Sequence, residues 1–307
     1  MNRLKSISIS LIIVMFAILV VGCSKSSATS GELKEAPKTR TVSTVMGNVE
    51  VPENPKRIII NYFQGDLLAL GIKPLASSFM EGETAFVNEL KDVTVVEKWD
   101  PEEIMSLEPD LIIVIGEEEY EKFNKIAPTI LIPFTEISTE ERFNLIAEAV
   151  GKQEEAKKVL DDFNNKVEDS KKKLTEAGVI NKTFTLVESL GEGSIAVFGN
   201  KWGRGGEILY DYLGLKAPEV IQKEIINGEQ YRDVSLEVLP EYCGDYIIQS
   251  LWSGDDPFKD SELWKNIKAV KEDKLIKTDG ALFYYMDLYS MDKQLDYIVN
   301  GILETVK

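Results

Sequence analysis

The chain has 307 residues, a length for roughly two domains of ~150 residues, and its 44% hydrophobic and 28% charged residues exclude a disordered, collagen-like or coiled-coil protein. Lys and Arg number 35 against 52 Asp and Glu, and the net charge of −17 argues against nucleic acid as a partner, because phosphate backbones attract basic surfaces. There is no histidine, which excludes Ser-His-Asp and Cys-His enzymes and removes the commonest Zn ligand.

Residues 1–22 read as a processing segment. Arg3 and Lys5 precede an unbroken apolar run of eleven residues, Leu11 to Val21. A membrane-spanning helix needs ~20 such residues, so the run suits a signal-peptide core better than an anchor. It ends in Val20-Val21-Gly22-Cys23, which resembles the bacterial lipobox, with Cys23 as the lipidated residue. Cleavage there removes two positive charges and lowers the net charge to −19. With Cys23 lipidated, Cys243 is left alone, no internal disulfide forms, and Cys243 is expected to pack as a small apolar residue. The polar stretch that follows reads as a flexible tether over 23–41, of reach ~23 Å. The protein is thus expected on the extracellular face of the cell membrane, held by its lipid.

Beyond the tether, strand-like and helix-like segments alternate. RIII (57–60), VTVVE (93–97), DLIIVIG (110–116) and TILIP (129–133) are short β-branched runs, with helical patterns beginning near Gln64, Asp100 and Glu119. This rhythm predicts an α/β lobe with a largely parallel sheet over 42–152. The rhythm returns over 178–307 in TFTLVES (183–189), SIAVFG (194–199), DYIIQS (245–250) and KLIKT (274–278), with a closing helix from Ser290 to Val306. Between the halves, Gln153 to Glu176 has no Gly or Pro. Ala156, Val159, Leu160, Phe163, Val167 and Leu174 there fall on one helical face. Such a helix (153–177) is ~36 Å long, enough to cross from lobe to lobe.

A weak repeat relates the two halves. Asp100-Pro101-Glu102-Glu103 opens a helix leading to Asp110 and LIIV. Ser235-Leu236-Glu237 is expected to open another leading to Asp245 and YII. Each N-cap candidate stands ten residues before the Asp that starts the strand, with a Glu two places after the cap.

The most unusual stretch is Gly199-Asn200-Lys201-Trp202-Gly203-Arg204-Gly205-Gly206, between a strand ending near Phe198 and a helix starting at Glu207. Glycines that expose N–H groups between strand and helix can form an anion-receptive crevice. The spacing fits neither the dinucleotide fingerprint nor a P-loop. Trp202 offers an apolar plate and Arg204 a fork of donors. Phe283-Tyr284-Tyr285 follows Asp279-Gly280 at a strand end, and Tyr62-Phe63 holds the matching place in the first lobe, so aromatics from both halves can line a cleft. Trp99 and Trp264 read as structural. No nucleophile–base pair or cofactor loop is found, which disfavours an enzyme.

Taken together, the lipobox, VEVPENPKRII, the block DPEEIMSLEPDLIIV at 100–114, the long helix, WGRGGEILY at 202–210 and WKNIKAVK at 264–271 resemble the substrate-binding lipoproteins of iron–siderophore ABC importers. The likeness runs over 42–307 and is strongest to the ferric-hydroxamate binding lipoproteins of Gram-positive bacteria. It implies an α/β fold of two lobes joined by one long rigid helix, as in class III periplasmic binding proteins. It also implies a monomer without catalytic activity or intrinsic cofactor, whose partners are a ferric siderophore and an ABC permease with its ATPase. Trp202 matches the tryptophan that packs on the siderophore, and Arg204 the arginine that bonds oxygens around the iron. Tyr284 stands where hydroxamate binders carry another aromatic, and Ala196 where such proteins can present one. Glu102 and Glu237 match the carboxylates, one per lobe, that dock onto the permease.

Ferric iron is hard and prefers oxygen donors. A siderophore supplies them, so the receptor needs no metal ligand of its own and grips the chelate through aromatic walls and one well-aimed guanidinium. A rigid helix limits closure, so the cleft is expected to be preformed. Ferric citrate or a catecholate is the alternative cargo. Heme and cobalamin fit less well, and free Zn or Mn is disfavoured without histidine.

Overall fold

The computed structural model describes residues 38–78, 85–191, 194–252 and 256–306. The expected signal peptide, Cys23 and nearly all of the expected tether lie outside them. Among the described residues no helix is long and apolar enough to cross a membrane.

The first elements are a hairpin that the sequence reading did not anticipate, β1 (Thr39–Thr44) and β2 (Gly47–Pro52), paired antiparallel with Val42 opposite Val49. Residues 39–41, expected in the tether, are therefore strand. Val42 and Val51 are sealed in the main core, and Arg40 donates to the carbonyls of Glu148 and Ala149, the latter at 2.8 Å.

The first lobe is built on β3 (Ile58–Ile60), β4 (Ala76–Ser77), β5 (Thr94–Val95), β6 (Leu111–Val114) and β7 (Thr129–Leu131), in the order β5-β4-β3-β6-β7 and parallel throughout. Its unbroken apolar runs arise because both faces are covered. Ile58, Ile60, Leu111 and Ile113 point into one core and Ile59, Ile112 and Val114 into another. The crossover helices are α1 (Gln64–Ala69), α2 (Pro101–Ser106) and α3 (Glu117–Phe123). Asp100 caps α2 by accepting from the Glu103 N–H at 2.9 Å.

Helix α4 (Thr139–Val150) follows, opened by a capping box of Ser138 and Glu141, and leads into α5 (Gln153–Glu176). Of the predicted apolar face of α5, Ala156, Leu160, Phe163, Val167 and Leu174 are buried and Val159 half-buried. That face belongs to a core continuous with residues of both lobes.

The second lobe carries β8 (Phe184–Gly191), β9 (Ser194–Phe198), β10 (Tyr231–Ser235), β11 (Tyr246–Leu251) and β12 (Leu275–Asp279), in the order β10-β9-β8-β11-β12. β8, β10, β11 and β12 run in one direction and β9 alone is reversed, because the connection from Gly191 to Ser194 is too short for a crossover. The helix expected from Ser235 is absent. Ser235 ends β10, and only the single tight turn Leu239–Glu241 follows before β11. The repeat survives in its aspartates. Asp110 accepts from the N–H groups of Lys56 and Arg57 at 2.7 and 2.8 Å, and Asp245 from that of Thr183 at 3.1 Å, each tying its strand to the start of the neighbouring one.

Short helices α6 (Glu262–Lys265), α7 (Lys268–Lys271) and α8 (Gly280–Tyr284) precede α9 (Leu288–Glu304). The start of α9 is fastened to the first lobe, where Asp66 of α1 accepts from the Leu288 N–H at 2.7 Å. Its body packs on β12 and α5, with Lys166 of α5 bridging Asp292 and Asp296 at 2.8 Å each. The lobes are thus joined by α5 and also by the root of α9.

Candidate functional site

Parallel strands deliver their C-terminal ends to one edge of a sheet. In the first lobe β3 runs into Asn61-Tyr62-Phe63. In the second, β8 carries Glu188 near its end, β11 runs into Trp252, and β12 leads through Asp279 into α8. The two edges meet: the Tyr62 hydroxyl donates to the Tyr284 carbonyl at 3.0 Å, and the two rings stand edge to face with centroids 5.7 Å apart.

The loop after β9 closes against α8. Gly203 has φ +73°, and a Cβ there would sit 2.6 Å from the Tyr284 carbonyl oxygen. At Gly206 a Cβ would come within 2.1 Å of the Gly199 oxygen, so close backbone approach accounts for both glycines. Between them Arg204 adopts φ +58°, an uncommon conformation for a side-chain-bearing residue. That conformation sends its guanidinium to Glu188, where Nε and Nη2 reach the two carboxylate oxygens at 3.0 and 2.7 Å. Nη1 donates to the Trp202 carbonyl at 3.1 Å. The guanidinium carbon stands 4.5 Å from the Phe198 ring centre and 5.5 Å from that of Tyr284.

Trp202 is 44% exposed and lies flat on Tyr231, with centroids 5.6 Å apart and planes 15° off parallel. Trp252 is 37% exposed and stands edge to face with Tyr284 at 5.7 Å. The half-buried Tyr284 ring is therefore the junction of the site, touching Tyr62, Trp252 and Arg204. Arg204, Tyr284 and Tyr62 come together, with Tyr62 itself buried at 9% exposure, and Trp202 joins them through its carbonyl, which accepts from Arg204. Phe63 does not join them: it is 1% exposed and packs under the Arg142 guanidinium, 4.3 Å from the ring centre, so it serves the core and offers no face to a ligand. Ala196 is fully buried on β9 opposite Glu188. Glu102 and Glu237 are both exposed, one on each lobe, and the Ser235 hydroxyl holds the Glu237 carboxyl below its usual range.

Sequence reasoning missed Glu188, Tyr231 and Trp252. Trp252 carried a usable signal, an aromatic immediately after a β-branched strand. Glu188 carried none, since its partner is sixteen residues away on a loop. Also missed was a buried charge cluster below the site. Arg142 of α4 pairs with Asp66 at 2.9 Å, donates to the Met286 carbonyl at 2.8 Å, and lies near Asp287, the N-cap of α9. Burial, with Asp66 close by, pushes the Asp287 carboxyl up to about 7. Cys243 is free and half-buried, with its thiol pushed up by burial to about 12, and Trp264 is 1% exposed beside Phe258.

Beside the aromatic site, between residues 134–142 and 200–212, is a cavity of ≈ 410 Å³ whose walls include Lys201, Glu207 and Asp211. Burial pushes both carboxyls up, and the Thr139 hydroxyl donates to Glu207 at 2.7 Å across the lobes. Trp202, Arg204 and Tyr284 do not line it. An opening whose walls carry four acidic residues, Glu136, Glu140, Glu207 and Asp211, against two cations, Arg142 and Lys201, is poorly suited to the oxygens of a metal chelate, so the aromatic site is the better candidate.

The sequence model of the periplasmic binding protein family matches residues 73–282, more than half of the chain. The chain belongs to that family. Among its relatives, the iron(3+)-hydroxamate-binding protein YxeB of Bacillus subtilis (strain 168) is 36% identical over 306 residues, covering 95% of this chain and 94% of the relative. FhuD of the same organism, also an iron(3+)-hydroxamate-binding protein, is 33% identical, covering 94% and 96%. Among solved structures, FhuD2 from Staphylococcus aureus with bound ferrioxamine B superposes with a TM-score of 0.74 at 25% identity, covering 82% of this chain and all of that one. The two-lobed α/β architecture is that of the FhuD-type members of the family.

Proposed function

We propose that this protein is the substrate-binding lipoprotein of an ABC importer, capturing a ferric siderophore of the hydroxamate type between its lobes and delivering it to a membrane permease. The observation that carries this reading is the convergence of the strand ends of both lobes on Tyr284, which meets the exposed ring of Trp252 and the Arg204 guanidinium, while the exposed Trp202, whose carbonyl accepts from Arg204, lies flat on Tyr231. Rings of this kind suit the apolar arms of a chelate, and a guanidinium suits its hydroxamate oxygens. The names of the relatives and the ligand of the superposed structure support the same class of cargo. Trp202, Arg204 and Tyr284 form the ligand surface in this reading, with Trp252 added and the buried Tyr62 and Phe63 beneath. Glu102 and Glu237 dock onto the permease, Cys23 carries the lipid, and the protein catalyses nothing.

The test is a tryptophan-fluorescence titration with ferrioxamine B, ferrichrome and ferric citrate. The hydroxamates are expected to quench at micromolar concentration or below. Absence of quenching by either hydroxamate overturns the proposal.

A further inference from the structure

Resting on the reading of the cleft as a ferric-chelate site, we propose that Glu188 is its specificity-determining residue, cancelling the charge of Arg204 so that the cleft favours electroneutral or cationic chelates over anionic ones. The pair is almost sealed, with side chains 16% and 5% exposed, and both carboxylate oxygens are engaged. A carboxylate at this depth in a central strand, between Val187 at 0% and β9, is retained only with a partner that balances it. Arg204 therefore brings direction without net charge. Of its five N–H donors, Nε and one on Nη2 go to Glu188 and one on Nη1 to the Trp202 carbonyl. Two remain for ligand oxygens.

The neighbouring cations are balanced in the same way. Arg142 pairs with Asp66, Lys277 with Asp256 at 3.1 Å, and Lys201 sits beside Asp211. The whole chain carries −17. Three hydroxamates, each carrying one negative charge, neutralise Fe³⁺, so such a chelate loses little hydration on entering and gains two directed hydrogen bonds. A tris-catecholate retains three negative charges and meets no net positive field, so its dehydration goes uncompensated.

The experiment measures affinities for ferrichrome and for a ferric tris-catecholate by fluorescence titration of the full-length lipoprotein in detergent, with folding checked by circular dichroism. The wild type is expected to prefer ferrichrome. Glu188→Gln keeps the shape and an acceptor for Arg204 but removes the negative charge, and should narrow the preference at least tenfold, chiefly through tighter catecholate binding. Arg204→Gln leaves the carboxylate uncancelled and should widen the preference, a shift of opposite sign that remains testable if the first variant does not fold. Equal weakening of both ligands in Glu188→Gln, or an unchanged ratio in both variants, overturns the proposal, because Glu188 would then only orient Arg204. A wild type that binds neither ligand overturns the ferric-chelate reading itself and this proposal with it.

Discussion

Replacing Arg142 with Met tests the charge cluster that fastens the lobes together. Met keeps much of the stem volume but removes the ion pair to Asp66 at 2.9 Å, the bond to the Met286 carbonyl at 2.8 Å, that to the Thr139 hydroxyl at 3.2 Å, and the cation over Phe63. Asp66, with a side chain 0% exposed, is left with the Leu288 N–H as its remaining direct donor. Orphaning a buried charge typically costs about 3–5 kcal/mol. The cation–π contact overlaps with that figure and does not add in full. A loss of about 4 kcal/mol is therefore expected, a large share of the ~5–15 kcal/mol that holds a typical protein together. Urea unfolding at pH 7.5, followed by circular dichroism, should show the midpoint falling by more than ~1 M. The double variant Asp66→Asn/Arg142→Met should recover part of the loss, since no charge is then stranded. A loss below ~1 kcal/mol in the single variant, or a double variant less stable than the single one, would refute the reasoning.

Asp287→Asn keeps an N-cap acceptor for the Ser290 N–H, now at 2.8 Å, and removes a carboxyl raised from 3.8 to about 7. Because the folded protein holds this proton more tightly than the unfolded chain, its contribution is fully present below about pH 4 and is lost as pH rises through about 7. The variant should therefore gain on the wild type across that window, by at most about 1.4 kcal/mol per pH unit, and urea midpoints at pH 4.5, 6 and 8 that differ by a constant amount would contradict it. Trp252→Ala should weaken hydroxamate binding by about 0.5–1.5 kcal/mol beyond the loss of contact area, read by titration, and an unchanged affinity would remove Trp252 from the ligand surface. Glu102→Ala and Glu237→Ala should leave titrations within about twofold of wild type, as both residues are exposed, yet lower ⁵⁵Fe-siderophore uptake by cells. Lost binding in either would contradict a docking role.

The sequence revealed those parts of the fold whose burial is one-sided or complete. LIIV at 111–114 is readable because both faces of its sheet are covered, and α5 because one stripe at helical spacing is buried over its whole length. The β1–β2 hairpin escaped because its polar residues face water and only Val42 and Val51 are sealed. The expected helix after Ser235 failed because a serine followed by acidic residues suits a turn at a strand end as well as a helix start. Helix α4 was missed although Ser138 and Glu141 spell a capping box. In the site, Trp202 and Arg204 stand out because glycines flank them at a strand-to-helix junction. Tyr62 and Phe63 are adjacent in sequence and both buried, and only packing distinguishes the ring against Tyr284 from the ring under Arg142. Glu188 could not be found from the sequence, since its meaning comes from a tertiary contact.

The central claim is that a pre-wrapped ferric ion is held by its organic shell at Arg204. A crystal structure of the protein with ferrichrome tests it most directly. The chelate should lie among Trp202, Trp252 and Tyr284, with its oxygens bonded to Arg204 while Glu188 stays paired to the same guanidinium. A chelate lodged in the acidic cavity beside Glu207 and Asp211, or iron bound directly by protein carboxylates, would contradict the account.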